Sequence, residues 1–496
     1  MERNTLALLP VLIPLAAVPV AVLLRRNPRV QAAWSFGAML SAFITSAIVL
    51  QQVWQSGKPL VVQLGGWAAP FGITFVADLL SAMMVLMSQL VLSMGFLYAL
   101  GARDQCVQYP MFFPLFLMLA TGLSGAMMTG DVFNLFVFAE LLVFAGAALT
   151  AISDDRFGTE AAYKYFYISL LASFALLLAV GGLYVSYGTL NLADLAQRIA
   201  ADPSPPLVLP AMALMAVFFM VKGAVMPFHF WQPDFHTAAP TPVHAVLSSV
   251  VVKLGIYGFL RMTTLLFPAQ AELLRPLLIL AGVIGAWFGG LGAAGTYDAK
   301  RMLAYSTLGQ LGFILVAIGW GTPLALIAAL VYAFNHSLLK AAMLMLAGSV
   351  ASRAPVKTAA FEAITGLGKV TPAAGVLFLL GGMGLAGVPP LNGFISKLLI
   401  FQSGAAIGDY APLAAIGLAG IVTLVYVVRA FQRIWWSPMP EGVKPKPYGD
   451  RLVAPAILIA LSVALGIWPE PLLQLSNDVV DWMRTPDQYV RAVLGG

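Results

Sequence analysis

Six ionisable side chains sit inside long apolar runs of this 496-residue chain: Glu140, Lys222, Lys253, His336, Lys340 and Lys397. A charge at the centre of a bilayer-spanning helix costs roughly 2.5–3.5 kcal/mol on insertion scales, so such residues are rare and usually line ion paths. Lysine shifts its pKa readily when desolvated, and a nearby carboxylate shifts it back. One acid among several bases therefore suits proton relay. A Glu140–Lys222 pair that opens and closes can load and release a proton on Lys222 for transfer to Lys253. His336 precedes Lys340 by four positions, so the two share a helix face. Each residue also has a structural reading: a static ion pair for Glu140 with Lys222, an isolated polar core residue for His336, and snorkelling for the remaining lysines, easiest for Lys340, whose helix ends close by, and harder for Lys253 and Lys397, well inside their spans.

The densest stretch, 222–253, places four prolines (Pro227, Pro233, Pro240 and Pro242) and three of the four histidines between two lysines. Pro227 removes a backbone donor and breaks its helix soon after Lys222. A second break falls at Pro389 and Pro390, after a glycine-rich run and just before Lys397. Broken helices at membrane depth are tolerated where they face protein or a water-filled cavity. Interrupted segments at corresponding positions of two halves point to inverted repeats with a transport site between them. His229, Asp234, His236 and His244 are then expected near an inner mouth, for proton uptake or gating, with helix capping as the alternative. As a zinc site these four lack HxxxH or carboxylate spacing, and no metal is expected.

The elements that must hold these residues follow from composition. At 60% hydrophobic and 10% charged residues, with mean hydropathy +0.89, the chain is an all-α polytopic membrane protein. At about 20 apolar residues per span, fourteen helices are expected, near 4–24, 31–54, 75–100, 110–129, 131–152, 160–187, 207–239 (broken), 241–262, 272–294, 300–320, 323–350, 371–403 (broken), 411–436 and 452–475. Residues 60–74 alternate too loosely for a span and read as a surface hairpin. Asp78 and Asp131 read as helix N-caps. The two broken helices are the seventh and twelfth, so the repeats are helices four to eight and nine to thirteen. The domains are 1–109 (helices one to three and the hairpin), 110–262 (first repeat), 263–436 (second repeat) and 437–496 (last helix and tail).

Charge placement orients the spans. With both termini outside, sixteen lysines and arginines fall on the inner side, Lys357 among them, seven fall outside, Arg261 among them, and four lysines remain within the membrane. That bias follows the positive-inside rule. Topology thus accounts for the net charge of +6, and the basic residues form no hydrophilic face for nucleic acid. Cys106 is the sole cysteine, which excludes a disulfide or an iron–sulfur motif of the chain's own. The N-terminal apolar run lacks a basic lead and a cleavage pattern, and reads as a retained first helix. No phosphate loop, nucleophile elbow or nucleotide fingerprint is present, so no cofactor is expected and the chain reads as a transporter subunit rather than an enzyme.

The block from Lys222 to Lys253, the run from Gly130 through Asp131 to Glu140, the stretch from Asp298 through Lys300-Arg301 to Tyr305-Ser306, and the Pro-Pro-Leu-Asn-Gly-Phe break before Lys397 together resemble the antiporter-like subunits shared by respiratory complex I and the Mrp cation/proton antiporters. The Mrp branch is the more similar. The resemblance covers essentially the whole chain. It implies a central hydrophilic axis built from Glu140, Lys222, Lys253 and Lys397, with His336 and Lys340 matching the family's basic position on helix eleven. It further implies one subunit of a hetero-oligomer in a bacterial inner membrane, which includes a larger homologous subunit and exchanges cytoplasmic Na⁺, or K⁺ or Li⁺, for external protons. A redox-driven proton pump of the complex I or membrane-bound hydrogenase kind carries the same axis, and is the alternative. Hard cations want several oxygen ligands; Glu140 amid lysines supplies too few, so the sodium site is expected elsewhere in the complex. A scaffold whose buried charges only specify assembly is the remaining reading, made costly by four separate intramembrane lysines.

Overall fold

The computed structural model describes residues 3–356 and 358–495; Lys357, one of the inner-side cations, lies outside the described residues. The chain opens with α1 (Leu9–Leu23) and α2 (Pro28–Ser56). A hairpin follows, β1 (Leu60–Gln63) against β2 (Thr74–Ala77), antiparallel with Leu60 opposite Ala77. Residues 75–77 thus belong to the hairpin and not to the third span, which begins as α3 (Leu79–Gly101). Asp78 sets that start: its carboxylate accepts from Ser81 N at 2.9 Å, and Ser81 Oγ accepts from Asp78 N at 2.9 Å. This reciprocal pair satisfies two amides that the first helical turn leaves free.

Next come α4 (Phe112–Met128), α5 (Val132–Ala151) and α6 (Arg156–Tyr187), then the short amphipathic α7 (Leu192–Ala201). Asp131 caps α5, accepting from Asn134 N at 2.7 Å. The first broken helix consists of α8 (Val208–Lys222) and α9 (Gln232–Ala238). One continuous span follows, Thr241–Leu266, built from α10 (Thr241–Val246), a π turn (Leu247–Val251), α11 (Lys253–Arg261) and a second π turn (Met262–Leu266).

Three long helices come next, α12 (Ala271–Gly295), α13 (Ala299–Trp320) and α14 (Pro323–Ala351), followed by the single turn α15 (Phe361–Ile364). The second broken helix is α16 (Pro372–Ala386) with α17 (Asn392–Ala406). At its break Gly387 has φ +87°, a conformation that side chains with a Cβ rarely adopt. The chain ends with α18 (Tyr410–Phe431), α19 (Val453–Ile467), α20 (Glu470–Met483) and α21 (Pro486–Leu494).

Ten helices among the described residues are long and apolar enough to cross a membrane, and twelve if each of two bent pairs counts as one span. The helices α4 and α8 are apolar but shorter. The expected fourteenth span, 452–475, is not one helix. It stops at Ile467 and turns by 81° into α20, because Pro469 restricts the residue before it and cannot continue the backbone hydrogen bonds.

Burial sorts the helices. The span Thr241–Leu266 is buried throughout, with α3, α13 and α14 nearly so, whereas α1, α6 and α18 are buried over well under half of their length. The centre is α14, which packs on α3, α13, α16, α17, α19 and α20. A helix that is apolar all round and lies inside a bundle has no need of an amphipathic pattern. Polar residues on such helices have only protein groups for partners, and Lys253, His336 and Lys340 lie on these helices.

Candidate functional site

At one end of the site α5 brings Glu140 to α8. The Glu140 carboxylate lies 4.0 Å from Lys222 Nζ, with the glutamate side chain 14% exposed and the lysine 4%. Glu140 also accepts a very short hydrogen bond from Ser173 Oγ of α6. The Lys222 ammonium sits 5.1 Å from the Phe218 ring centroid and has no hydrogen-bond partner among the described residues. The pair is therefore at the margin of contact, and the carboxylate has a second partner that holds it.

The backbones of α8 and α11 meet beside this pair. A Cβ on Gly255 would lie 2.6 Å from Gly223 Cα and from the Phe219 carbonyl oxygen, so only glycine fits. The π turn before Lys253 places one extra residue in the helix, a feature that recurs at functional sites. Within it the Ser249 carbonyl accepts from Ser337 Oγ of α14 at 3.2 Å. Lys253, fully buried, then points to α14 and makes a very short contact with His336 Nδ1.

Lys340 is also fully buried and does not snorkel. It donates to Ser306 Oγ at 2.6 Å and to the Leu303 carbonyl at 3.2 Å, both on α13. His336 and Lys340 share one face of α14, as their spacing requires, yet they meet different partners. Beyond the second break, Lys397 donates to the Ala386 carbonyl at 2.8 Å, one of the groups that the end of α16 leaves unbonded. Its ammonium lies 5.0 Å from the Phe313 ring centroid. A cavity of about 320 Å³ opens beside it, between α17 and α18, lined by Phe313, Gly387, Lys397, Phe401 and Ile421.

The four residues expected near a mouth separate. His229 is partly exposed and packs on Phe288, ring centroids 4.4 Å apart. Asp234 pairs with Arg301 at 2.9 Å. His236 and His244 are buried, with their rings 5.7 Å apart, because α9 folds back under α13 and α10 continues into the core. His236 bonds Gln232, whereas both His244 ring nitrogens lack partners among the described residues. Pro227 falls in the interruption between α8 and α9, and Pro389 and Pro390 in that between α16 and α17.

Sequence reasoning missed a second charged cluster. Arg261, expected on the outer side near the end of its span, is buried on α11 and holds Asp78 with two hydrogen bonds of 2.6 Å. Trp482 Nε1 of α20 donates to the same carboxylate at 3.1 Å, and Tyr489 of α21 packs against the guanidinium, 5.3 Å from ring centroid to Cζ. A planar guanidinium in bidentate contact tolerates burial far better than a lone charge. Ser173 and Ser306 were likewise missed, since a serine in an apolar helix gives no signal of its partner.

Residues 129–423 match the family model described as NADH:quinone oxidoreductase/Mrp antiporter, TM. The chain is 31% identical, over 494 residues and 99% of both chains, to a Na(+)/H(+) antiporter subunit of Alkalihalophilus pseudofirmus. Among solved structures it resembles a chain of the Mrp complex from Dietzia sp. DQ12-45-1b, with a TM-score of 0.92, 26% identity and full coverage of both chains. It also resembles a chain of the membrane-bound sulfane sulfur reductase, an archaeal respiratory membrane complex, with a TM-score of 0.90 and 30% identity over 99% of this chain and 100% of that one. The family match spans α5 to α18 and so takes in every helix that carries Glu140, the buried lysines and His336: the chain belongs to the NADH:quinone oxidoreductase/Mrp antiporter transmembrane family.

Proposed function

We propose that this chain is the proton-translocating subunit of a hetero-oligomeric Na⁺/H⁺ antiporter of the Mrp kind. One observation carries the reading: Glu140 with Lys222, Lys253 with His336, then Lys340 and Lys397 are buried along neighbouring helices at the centre of the bundle. Buried groups that can each hold or release a proton make a relay, whereas static pairs would be weak stabilisers. In this reading the Glu140–Lys222 contact opens and closes, Lys222 passes its proton toward Lys253 and His336, and Lys340 and Lys397 continue the path. His229 and Asp234 act at the mouth, and His236 and His244 conduct inward from it. No resident cofactor takes part.

The finer architecture belongs to the same proposal. Counting α4 and the broken α8–α9 with the ten long helices and two bent pairs makes fourteen spans, with both termini outside a bacterial inner membrane. Residues 110–262 and 263–436 form the two inverted repeats, with 1–109 before them and 437–496 after. The breaks after Lys222 and before Lys397 support this, since each falls in the fourth helix of its repeat. The exchanged ions are Na⁺, or K⁺ or Li⁺, and protons, and a larger homologous subunit is among the partners.

The test is Na⁺-driven proton movement in everted vesicles carrying the whole complex. Lys222→Ala and Lys253→Met are each expected to abolish it while the complex still co-purifies intact. Parental rates in both variants would overturn the relay. The likeness to a respiratory membrane complex favours a second reading, a proton-pumping subunit of a redox-driven assembly. Mass spectrometry of the purified complex separates the two: peripheral flavin or iron–sulfur subunits mark the redox assembly, and their absence beside small membrane subunits and a larger homologue marks the antiporter.

A further inference from the structure

Between Lys340 and Lys397 the bundle holds a cluster of buried hydroxyl and amide groups that the relay as described does not use. From Lys340 the ammonium donates to Ser306 Oγ at 2.6 Å, and Ser306 Oγ lies 2.7 Å from Tyr426 OH. Thr423 and Gln310 lie beside the same phenol. Gln310 donates to Thr423 Oγ1 at 3.3 Å and accepts from Tyr332 OH. All five residues are at most 2% exposed. Their spacing puts them on facing stripes: Ser306, Gln310 and Phe313 along α13, Gly420, Thr423 and Tyr426 along α18, and Tyr332, His336 and Lys340 along α14.

The far end reaches Lys397. Gly420 is one turn from Thr423, about 4.5 Å of helix rise, and a Cβ on it would lie 3.7 Å from Lys397 Nζ and 3.7 Å from Phe313 Cζ. Phe313 stacks on Tyr332, centroids 5.6 Å apart at 12°, and also carries the Lys397 ammonium. The polar cluster therefore ends at one aromatic ring, with the lysine against that ring.

We propose that Ser306, Tyr426 and Thr423 are the conducting link between Lys340 and Lys397, that Gln310 and Tyr332 hold it in line, and that Phe313 is its apolar break. The inference rests on the relay reading above and assigns its middle step. The Lys340 ammonium gives a proton to Ser306 Oγ as the Ser306 hydroxyl proton passes to Tyr426 O. Tyr426 gives its own proton to Thr423, and Thr423 passes one on past Phe313 to neutral Lys397. Each oxygen gains one proton and loses one, so Lys340 ends neutral and Lys397 charged.

The experiment compares Tyr426→Phe, Ser306→Ala, the double variant and Lys397→Met in the assembled complex, reading Na⁺-driven proton movement in everted vesicles. Tyr426→Phe and Ser306→Ala are each expected to lower the maximal rate at least about tenfold, since either one interrupts the hydrogen-bonded path, with the half-saturating Na⁺ concentration unchanged and the complex still assembled, and Lys397→Met is expected to be inactive. The double variant should be no slower than the slower single one, because a series path broken once is already broken. Multiplying effects would overturn the link, as would parental rates in both single variants beside an inactive Lys397→Met complex; in that last case the relay reading survives. An active Lys397→Met complex would instead overturn the relay reading. Thr423→Val, which keeps the side chain's shape, carries the same test if the Tyr426 variant does not assemble.

Discussion

Glu140 makes two contacts of different kinds, and the difference is informative. It accepts a direct hydrogen bond from Ser173, while its approach to Lys222 is a loose 4.0 Å. A bond between a hydroxyl and a carboxylate is worth roughly 1.5–3 kcal/mol, and here it fixes the orientation of the acid. Ser173→Ala should free the carboxylate to settle against Lys222, turning a poised pair into a closed one. The expected result is a fall of roughly tenfold in the exchange rate with assembly intact, measured by dye response in vesicles and by co-purification. An unchanged rate would mean that the serine only fills space. Glu140 and Lys222 were both legible in the sequence because a charge in an apolar run stands out. Ser173 was not, because serine is common in apolar helices and its partner lies 33 positions away.

Among the elements, the breaks were legible and the joins were not. Prolines announce where a helix must stop, so the interruptions between α8 and α9 and between α16 and α17 fell where the sequence placed them. The π turn before Lys253 carries no such mark, since its residues, Leu247–Val251, suit an α-helix equally well. Arg261 was counted among the outer-side cations, and an arginine near the end of a span gives no sign of the partner it meets. That partner, Asp78, comes from the cap of α3, and Trp482 and Tyr489 bring α20 and α21 to the same point. Removing one side of a buried pair leaves an uncompensated charge and costs about 3–5 kcal/mol, whereas replacing both with apolar groups is often neutral. Asp78→Asn should therefore lower the melting temperature of the purified complex sharply, and combining it with Arg261→Leu, which removes the unpaired charge while the amide oxygen still caps α3, should recover most of the loss. If the double variant were as unstable as the single one, packing rather than charge would be what the cluster supplies.

Across the whole molecule the first three helices must be held against the helices of the proposed second repeat, and Asp450 does this from the loop before α19. Its carboxylate accepts from Tyr98 OH of α3 at 2.6 Å and from Arg103 N at 2.7 Å, while its backbone meets Ser349 and Ser352 at the end of α14. Burial raises the Asp450 carboxyl above its ordinary value, partly offset by the bonds from Tyr98 and Arg103 and by the charge of Lys300. An acid whose folded pKa is raised binds its proton more tightly in the folded state. Its contribution to stability is then fully present below the unfolded value of about 3.9 and is lost as pH rises through the folded value. Asp450→Asn has no proton to lose and keeps one acceptor oxygen. Relative to that variant, the parent complex should be most stable at the acid end, lose ground as pH rises from about 4, and then run parallel at higher pH. Melting temperatures of both complexes across that range check it. A parent that instead gained on the variant with rising pH would mean that Tyr98, Arg103 and Lys300 outweigh burial, and that the clamp between the two parts of the molecule is held as a carboxylate rather than strained by one.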